Sequence, residues 1–143
     1  MVIEMNIENM IKDNLGIDTD QDIWVSAIKK FKVDTGESLD TLNCIGICSC
    51  KISTRTSNGD EVVRGVSGCA AATDKGLVVL GAEKGKFPVT LFIKKNNIRV
   101  LQFSSKLLSA TGTVTTDSSV IEMVVPKKSA SKLEVILNKA RNP

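Results

Sequence analysis

Apolar positions along the chain change period twice, and each change marks a new kind of element. Ile7, Met10, Ile11 and Leu15 fall at i, i+3, i+4 and i+8, one stripe of a helix, with Gly16 following as a C-terminal stop. Trp24, Ala27, Ile28 and Phe31 repeat at i, i+3, i+4 and i+7, and Asp20 or Asp22 is placed to cap that second helix. Lys29, Lys30 and Lys32 lie towards its C-terminal end, where the helix dipole favours cations. The spacing therefore predicts a helical hairpin ended by Gly36. The stretch "ESLDTL" (Glu37 to Leu42) reads equally as a linker or a third short helical turn. The Trp24 ring is expected to anchor this hairpin to the rest of the molecule.

From Cys44 the texture turns to β-branched and small residues broken by glycines. Strands are predicted over 44–56, 61–73, 76–82, 88–94, 97–104, 111–116 and 119–125, as an antiparallel meander. Asn58-Gly59 supplies the positive-φ pair of a two-residue type I′ hairpin, Asp74-Lys75-Gly76 a second turn and Thr116 to Ser119 a polar one. Pro88 stands at a strand entrance, where its missing N–H costs least. After Pro126 the period is helical again, with Ala130, Leu133, Ile136, Leu137 and Ala140 on one stripe. Ser131 and Glu134 have capping-box spacing, and Lys139 and Arg141 complement the C-terminal dipole. Seven strands followed by one amphipathic helix suit a small barrel, or two orthogonal sheets, with an open end that the helix plugs.

The segment from Ala70 to Leu137 resembles the bacterial pleckstrin-homology-like (PH-like) domain family. The resemblance is carried by "ATDKG" (Ala72 to Gly76), "LVVL" (Leu77 to Leu80), the strand from Phe92 to Ile98, Leu107 to Thr115, Val120 to Val124 and "PKK" (Pro126 to Lys128). Gly76 stands where the family often has a basic residue, and Asn96-Asn97 replaces an acidic-basic pair. The resemblance implies an α+β, mainly β fold: a seven-stranded, strongly bent antiparallel barrel closed by a C-terminal helix, here preceded by the helical hairpin. The division expected is 1–42 as the helical segment and 43–143 as the barrel with its helix. It implies a non-catalytic binding or scaffolding platform, with a protein partner, self-association or an anionic membrane surface as the occupants.

Composition sharpens this by exclusion. The chain has 143 residues with no histidine and no tyrosine, which removes Ser-His and Cys-His nucleophiles, His bases and His metal ligands together. An enzyme is disfavoured, and a cysteine-dependent enzyme or redox protein is the reading left over. No cofactor is implied. The N-terminus lacks a basic region and an apolar core, so no secretory signal is read there, and a cytoplasmic location is the default expectation. Residues 1–71 hold 7 Lys+Arg and 11 Asp+Glu, whereas residues 72–143 hold 12 and 5. A basic C-terminal half fits an acidic partner or an anionic surface, although such asymmetry is more often a solvated face.

Anion recognition needs several cations converging on one open end of the barrel. The candidates are Lys51 and Arg55 before the Asn58-Gly59 turn, Arg64 after it, and Lys84 and Lys86 in "GAEKGKFP". The first of these turns, "TSNGDE", carries two acids and no lysine, which argues against a basic phosphate cradle. "GAEKGKF" is neither a Walker A sequence nor a dinucleotide fingerprint. Lys94 and Lys95 form another basic pair, but one tryptophan and four phenylalanines make no stacking platform, so nucleic acid is an improbable partner. Asp18, Asp20 and Asp22 alternate as in a calcium loop but lack its glycine and terminal glutamate, and helix capping explains them better.

Three of the four cysteines crowd into "CIGICSCK" (Cys44 to Lys51). In a strand Cys44, Gly46, Cys48, Cys50 and Ile52 share one face, the more apolar one. A two-residue hairpin at Asn58-Gly59 pairs positions summing to 117 and sets Cys48 opposite Cys69, unless a bulge at Gly65 or Gly68 shifts the register by one. Zinc thiolates come mostly from closely paired C-x₂-C knuckles rather than one extended strand. The cysteines are therefore expected as reduced, buried core side chains, with no metal site.

Overall fold

The computed structural model describes the backbone of residues 21–83 and 86–141, and their side chains apart from 21–25, 40, 83, 86 and 87. The predicted first helix and the Trp24 ring lie outside the described residues. The second predicted helix is α1, Gln21–Thr35, and "ESLDTL" resolves into a single 3-10 turn, Leu39–Thr41. Seven strands follow: β1 (Cys44–Thr56), β2 (Glu61–Thr73), β3 (Gly76–Glu83), β4 (Lys86–Lys94), β5 (Val100–Ser105), β6 (Ser109–Thr115) and β7 (Ser119–Pro126). A 3-10 turn at Lys127–Ser129 leads into the closing helix α2, Ala130–Arg141. Because that turn runs directly into the helix, Ser131 sits inside α2 rather than at its cap, and the capping box expected with Glu134 is not formed.

The strands form one antiparallel sheet in the order β4-β3-β2-β1-β7-β6-β5. Were it flat, neighbours about 4.8 Å apart would put the two edges roughly 29 Å from each other. Yet Val89 and Ile93 of β4, Leu101 and Phe103 of β5, and Leu133 and Leu137 of α2 belong to one hydrophobic cluster. The sheet is therefore strongly curled, with α2 inside the curl. β4 and β5 do not pair, so the expected barrel is open along that seam. The physical reason lies in the connection: after β4 the chain makes a 3-10 turn at Lys95–Asn97 and rejoins the sheet beside β6. Strand count, curl and closing helix agree with the PH-like arrangement that the sequence resemblance implies.

A second cluster lies on the outer face of β1–β4. There Ala27 and Phe31 of α1, with Leu39 and Leu42, cover Ile47, Cys69, Ala71, Val78 and Leu80. Both faces of β2 are consequently buried from Gly68 to Thr73, which is why this stretch is built of small residues. The Asp34 carboxylate at the end of α1 accepts hydrogen bonds from Lys30, at 2.6 Å, and from the Thr90 hydroxyl on β4. Together they hold its carboxyl below the usual range.

The β1–β2 register corrects one expectation. Gly59, with φ +90°, donates its N–H to Thr56 O at 2.9 Å, and Thr56 N–H donates to Asp60 O at 2.8 Å. The loop is thus longer than a two-residue type I′ turn. Farther along, Arg64 and Gly65 of β2 together face Ser53 of β1 in a bulge, where Gly65 has φ +60° and its N–H donates to Ser53 Oγ at 2.8 Å. Beyond it the pairs are one residue out of the two-residue-hairpin register: Cys48 faces Ala70, and Cys69 faces Ser49.

Candidate functional site

The hairpin end of the sheet holds the cationic candidates that can be placed. Lys51, Ser53 and Arg55 lie on one exposed side of β1, next to Val124, Glu122 and Val120 of β7. Arg55 and Arg64 line a cleft of about 440 Å³ with Ser53, Gly59, Glu61, Val63, Val120 and Glu122. Arg64 Nε stands 3.7 Å from the Glu61 carboxylate. Two arginines and two glutamates share this cleft, so its charges largely cancel. Lys51 faces Ser67 and Val124 several residues away and is not part of the cleft. Lys84 lies outside the described residues; Lys86 opens β4, paired to Glu83. The adjoining β6–β7 turn is anchored to the first hairpin by Ser57 N–H donating to Ser118 O, 3.0 Å, and is clamped by a two-pronged Arg99–Asp117 pair at 2.8 and 2.9 Å. That guanidinium holds the Asp117 carboxyl below its ordinary range.

A second concave site lies at the start of β1. β7 pairs with β1 only from Lys51 to Thr56, so among the described residues the edge of β1 from Cys44 to Cys48 has no ladder partner on that side. Beside it runs a cleft of about 350 Å³ lined by Gly46, Ile47, Ser131, Lys132, Val135, Ile136 and Lys139. Its floor is apolar, because the Ile136 side chain lies over Gly46. Lys132 and Lys139 stand one turn either side of Val135, which is 48 % exposed. The sequence signal for this site was slight: Val135 is an apolar residue on the otherwise polar face of α2, outside the stripe that packs on the sheet.

The cysteines divide between the two faces rather than sharing one. Cys48 and Cys50 point into the curl, whereas Cys69 packs under α1. Cys44, expected beside Cys48 and Cys50, also joins the outer cluster, because Ile45 is an extra residue that shifts the register between Cys44 and Gly46. Cys48 and Cys69 are on opposite sides of the sheet, so they are not placed as a reacting pair. All four thiols are free, and no three metal-ligating side chains converge among the described residues. Burial pushes all four thiols up, Cys50 from 9.0 to about 12. The thiolate is the nucleophile, so these side chains are poor ones at neutral pH.

This has a measurable consequence in the alkaline range. A thiol whose folded value is raised contributes stability that is complete below its unfolded value of 9.0 and is lost as pH rises towards about 12. Cys50 should therefore steepen the fall of stability by about 1.4 kcal/mol per pH unit above about pH 9. Urea unfolding of wild type and Cys50→Ala between about pH 8 and 10.5 should show the shallower alkaline slope in the variant. Equal slopes would mean that the thiol is not buried as described.

No family model matches the chain, and no curated protein matches it. A solved structure described as "Critical structural role for the PH and C1 domains of the Vav1 exchange factor" is similar at a TM-score of 0.45 and 14% identity, covering 93% of this chain and 34% of that one. The chain thus spans about a third of that structure's length. At that level of likeness the architecture stands on the strand pairing alone.

Proposed function

We propose that the protein is a non-catalytic binding module, residues 43–143, which takes an extended segment of a partner protein along the free edge of β1. Residues 1–42 are the segment that precedes it, and α1 within that segment covers the outer face. The single observation that carries this reading is the edge of β1 from Cys44 to Cys48, which β7 does not reach, lying beside the apolar cleft of α2. An added strand would pair with the β1 backbone between Cys44 and Cys48, displacing the weak contact of the Cys44 thiol with the Gly46 carbonyl oxygen at 3.6 Å, and one of its alternate side chains would enter the cleft between Ile47, Val135 and Ile136. Lys132 and Lys139 at the rim favour acidic residues flanking that apolar side chain.

The test is direct binding of a captured partner segment to wild type and to Val135→Glu, which places a charge at an exposed lining position. Binding should weaken at least about tenfold, the equivalent of one misplaced buried group. Unchanged affinity, with the variant folded, would remove the cleft from the function. Anionic-lipid recognition through Lys51, Arg55, Arg64, Lys84 and Lys86 ranks second, because Glu61 and Glu122 occupy the cleft where phosphates would have to enter.

A further inference from the structure

The β5–β6 turn carries two adjacent leucines in the open: Leu107 is 88% exposed and Leu108 83%. Turn residues are ordinarily polar, and two large apolar side chains side by side at a hairpin tip cost solubility unless something receives them. The turn is not loose. Lys106 N–H donates to Ser109 O at 2.7 Å, and Lys127 N–H donates to Leu108 O at 3.2 Å. The Lys127 ammonium donates to the Ser105 hydroxyl, which fixes a cation beside the leucines. Lys106 precedes them and Lys128 follows Lys127, both exposed. No acidic residue stands between Glu83 and Asp117, nor between Glu122 and Glu134, so no carboxylate neighbours these lysines along either stretch. The basic excess of the C-terminal half thus has a local focus here.

We infer that the Leu107-Leu108 turn is a membrane-docking tip, inserting its leucines at the headgroup boundary of an anionic bilayer while Lys106, Lys127 and Lys128 meet the negative surface. The pairing of exposed apolar side chains with a collar of cations suits that interface, whose outer layer is anionic and whose next layer is hydrocarbon. A protein groove with an acidic rim would meet the same side chains, and it is the outcome in which wild type ignores anionic vesicles. The tip is distinct from the arginine cleft. Arg55 pairs with Val120 at the start of β7, while the turn pairs through Ser109 with Pro126 at its end, about 20 Å away at the usual rise per residue. The inference does not rest on the proposed β1 edge, and either can fail without the other.

The experiment is sedimentation of the full chain with extruded vesicles of phosphatidylcholine alone or with phosphatidylserine. Wild type should bind the anionic vesicles and not the neutral ones. Leu107→Ser/Leu108→Ser should weaken that binding at least about tenfold, as should Lys106→Glu/Lys128→Glu. All four positions are exposed, so circular dichroism should show both variants folded. Three results would overturn the inference: no binding of wild type to anionic vesicles at low salt; binding unaffected by the leucine substitutions; or displacement by a soluble inositol phosphate with the leucine variant binding normally, which would assign the surface to a headgroup site instead. A leucine variant that changes only the mass seen by light scattering would likewise overturn it, making the turn a contact between copies.

Discussion

Gly68→Ala should destabilise the protein by at least about 3 kcal/mol, near the top of the range for overpacking, and lower its melting temperature by roughly 10 °C. A β-carbon added there would meet the backbone oxygen of Leu80 at 2.0 Å, the Gly81 Cα at 2.7 Å and Ile52 Cδ1 at 2.7 Å. Two of those three atoms are backbone, so relief requires β2 and β3 to separate. Gly68 and Gly81 face each other across the ladder on the inner side of the sheet, and Ile52 leans over both. This pair of missing side chains allows the strands to curl tightly at that corner. Gly46→Ala is the matched control, since its added carbon meets only Ile136 Cγ1 at 3.4 Å. Thermal unfolding of both variants checks the prediction, and similar melting points would show that the corner can relax.

Phe31→Ala should cost about 3–5 kcal/mol, the range for truncating a fully buried aromatic side chain. The ring is 0% exposed and lies among Leu39, Leu42, Ile47, Cys69, Ala71, Val78 and Leu80. The variant should also expose the outer face of β2 and β3, where Cys69 lies. Alkylation of that thiol should then become rapid in the native state while Cys48 and Cys50, on the inner face, stay protected. A loss under about 1 kcal/mol, with Cys69 still protected, would mean that α1 does not cover this face.

Much of the architecture was legible because period and turn chemistry are local properties. Strand boundaries read from alternation and glycine punctuation match the structure to within three residues, and the buried stripe of α2 is the one its 3.6-residue period marks. The bulge that shifts Cys48 away from Cys69 was foreshadowed by Gly65, whose freedom at positive φ has a use only where two strands fall out of step. Sequence reading of the binding residues went less far. It collected cations by proximity to turns, and Arg55 and Arg64 do share a cleft, but Glu122, which lines the same cleft, is some 60 residues distant in sequence and reaches the site only through β1–β7 pairing.

The sequence by itself determined that this is a mainly β chain with seven strands and a closing amphipathic helix, since alternation, glycine turns and helical stripes are written in neighbouring residues. It also determined that the chain has no histidine chemistry and that its cations gather in the second half. Only the tertiary structure decided which faces those residues occupy. An extra residue at Ile45 and a bulge at Arg64-Gly65 place the thiols on two sides of the sheet; the failure of β4 to meet β5 leaves a curled sheet instead of a closed barrel. The stretch of β1 from Cys44 to Cys48 that β7 does not reach and the lysines around Leu107 and Leu108 are likewise products of pairing between distant segments, which local pattern does not encode.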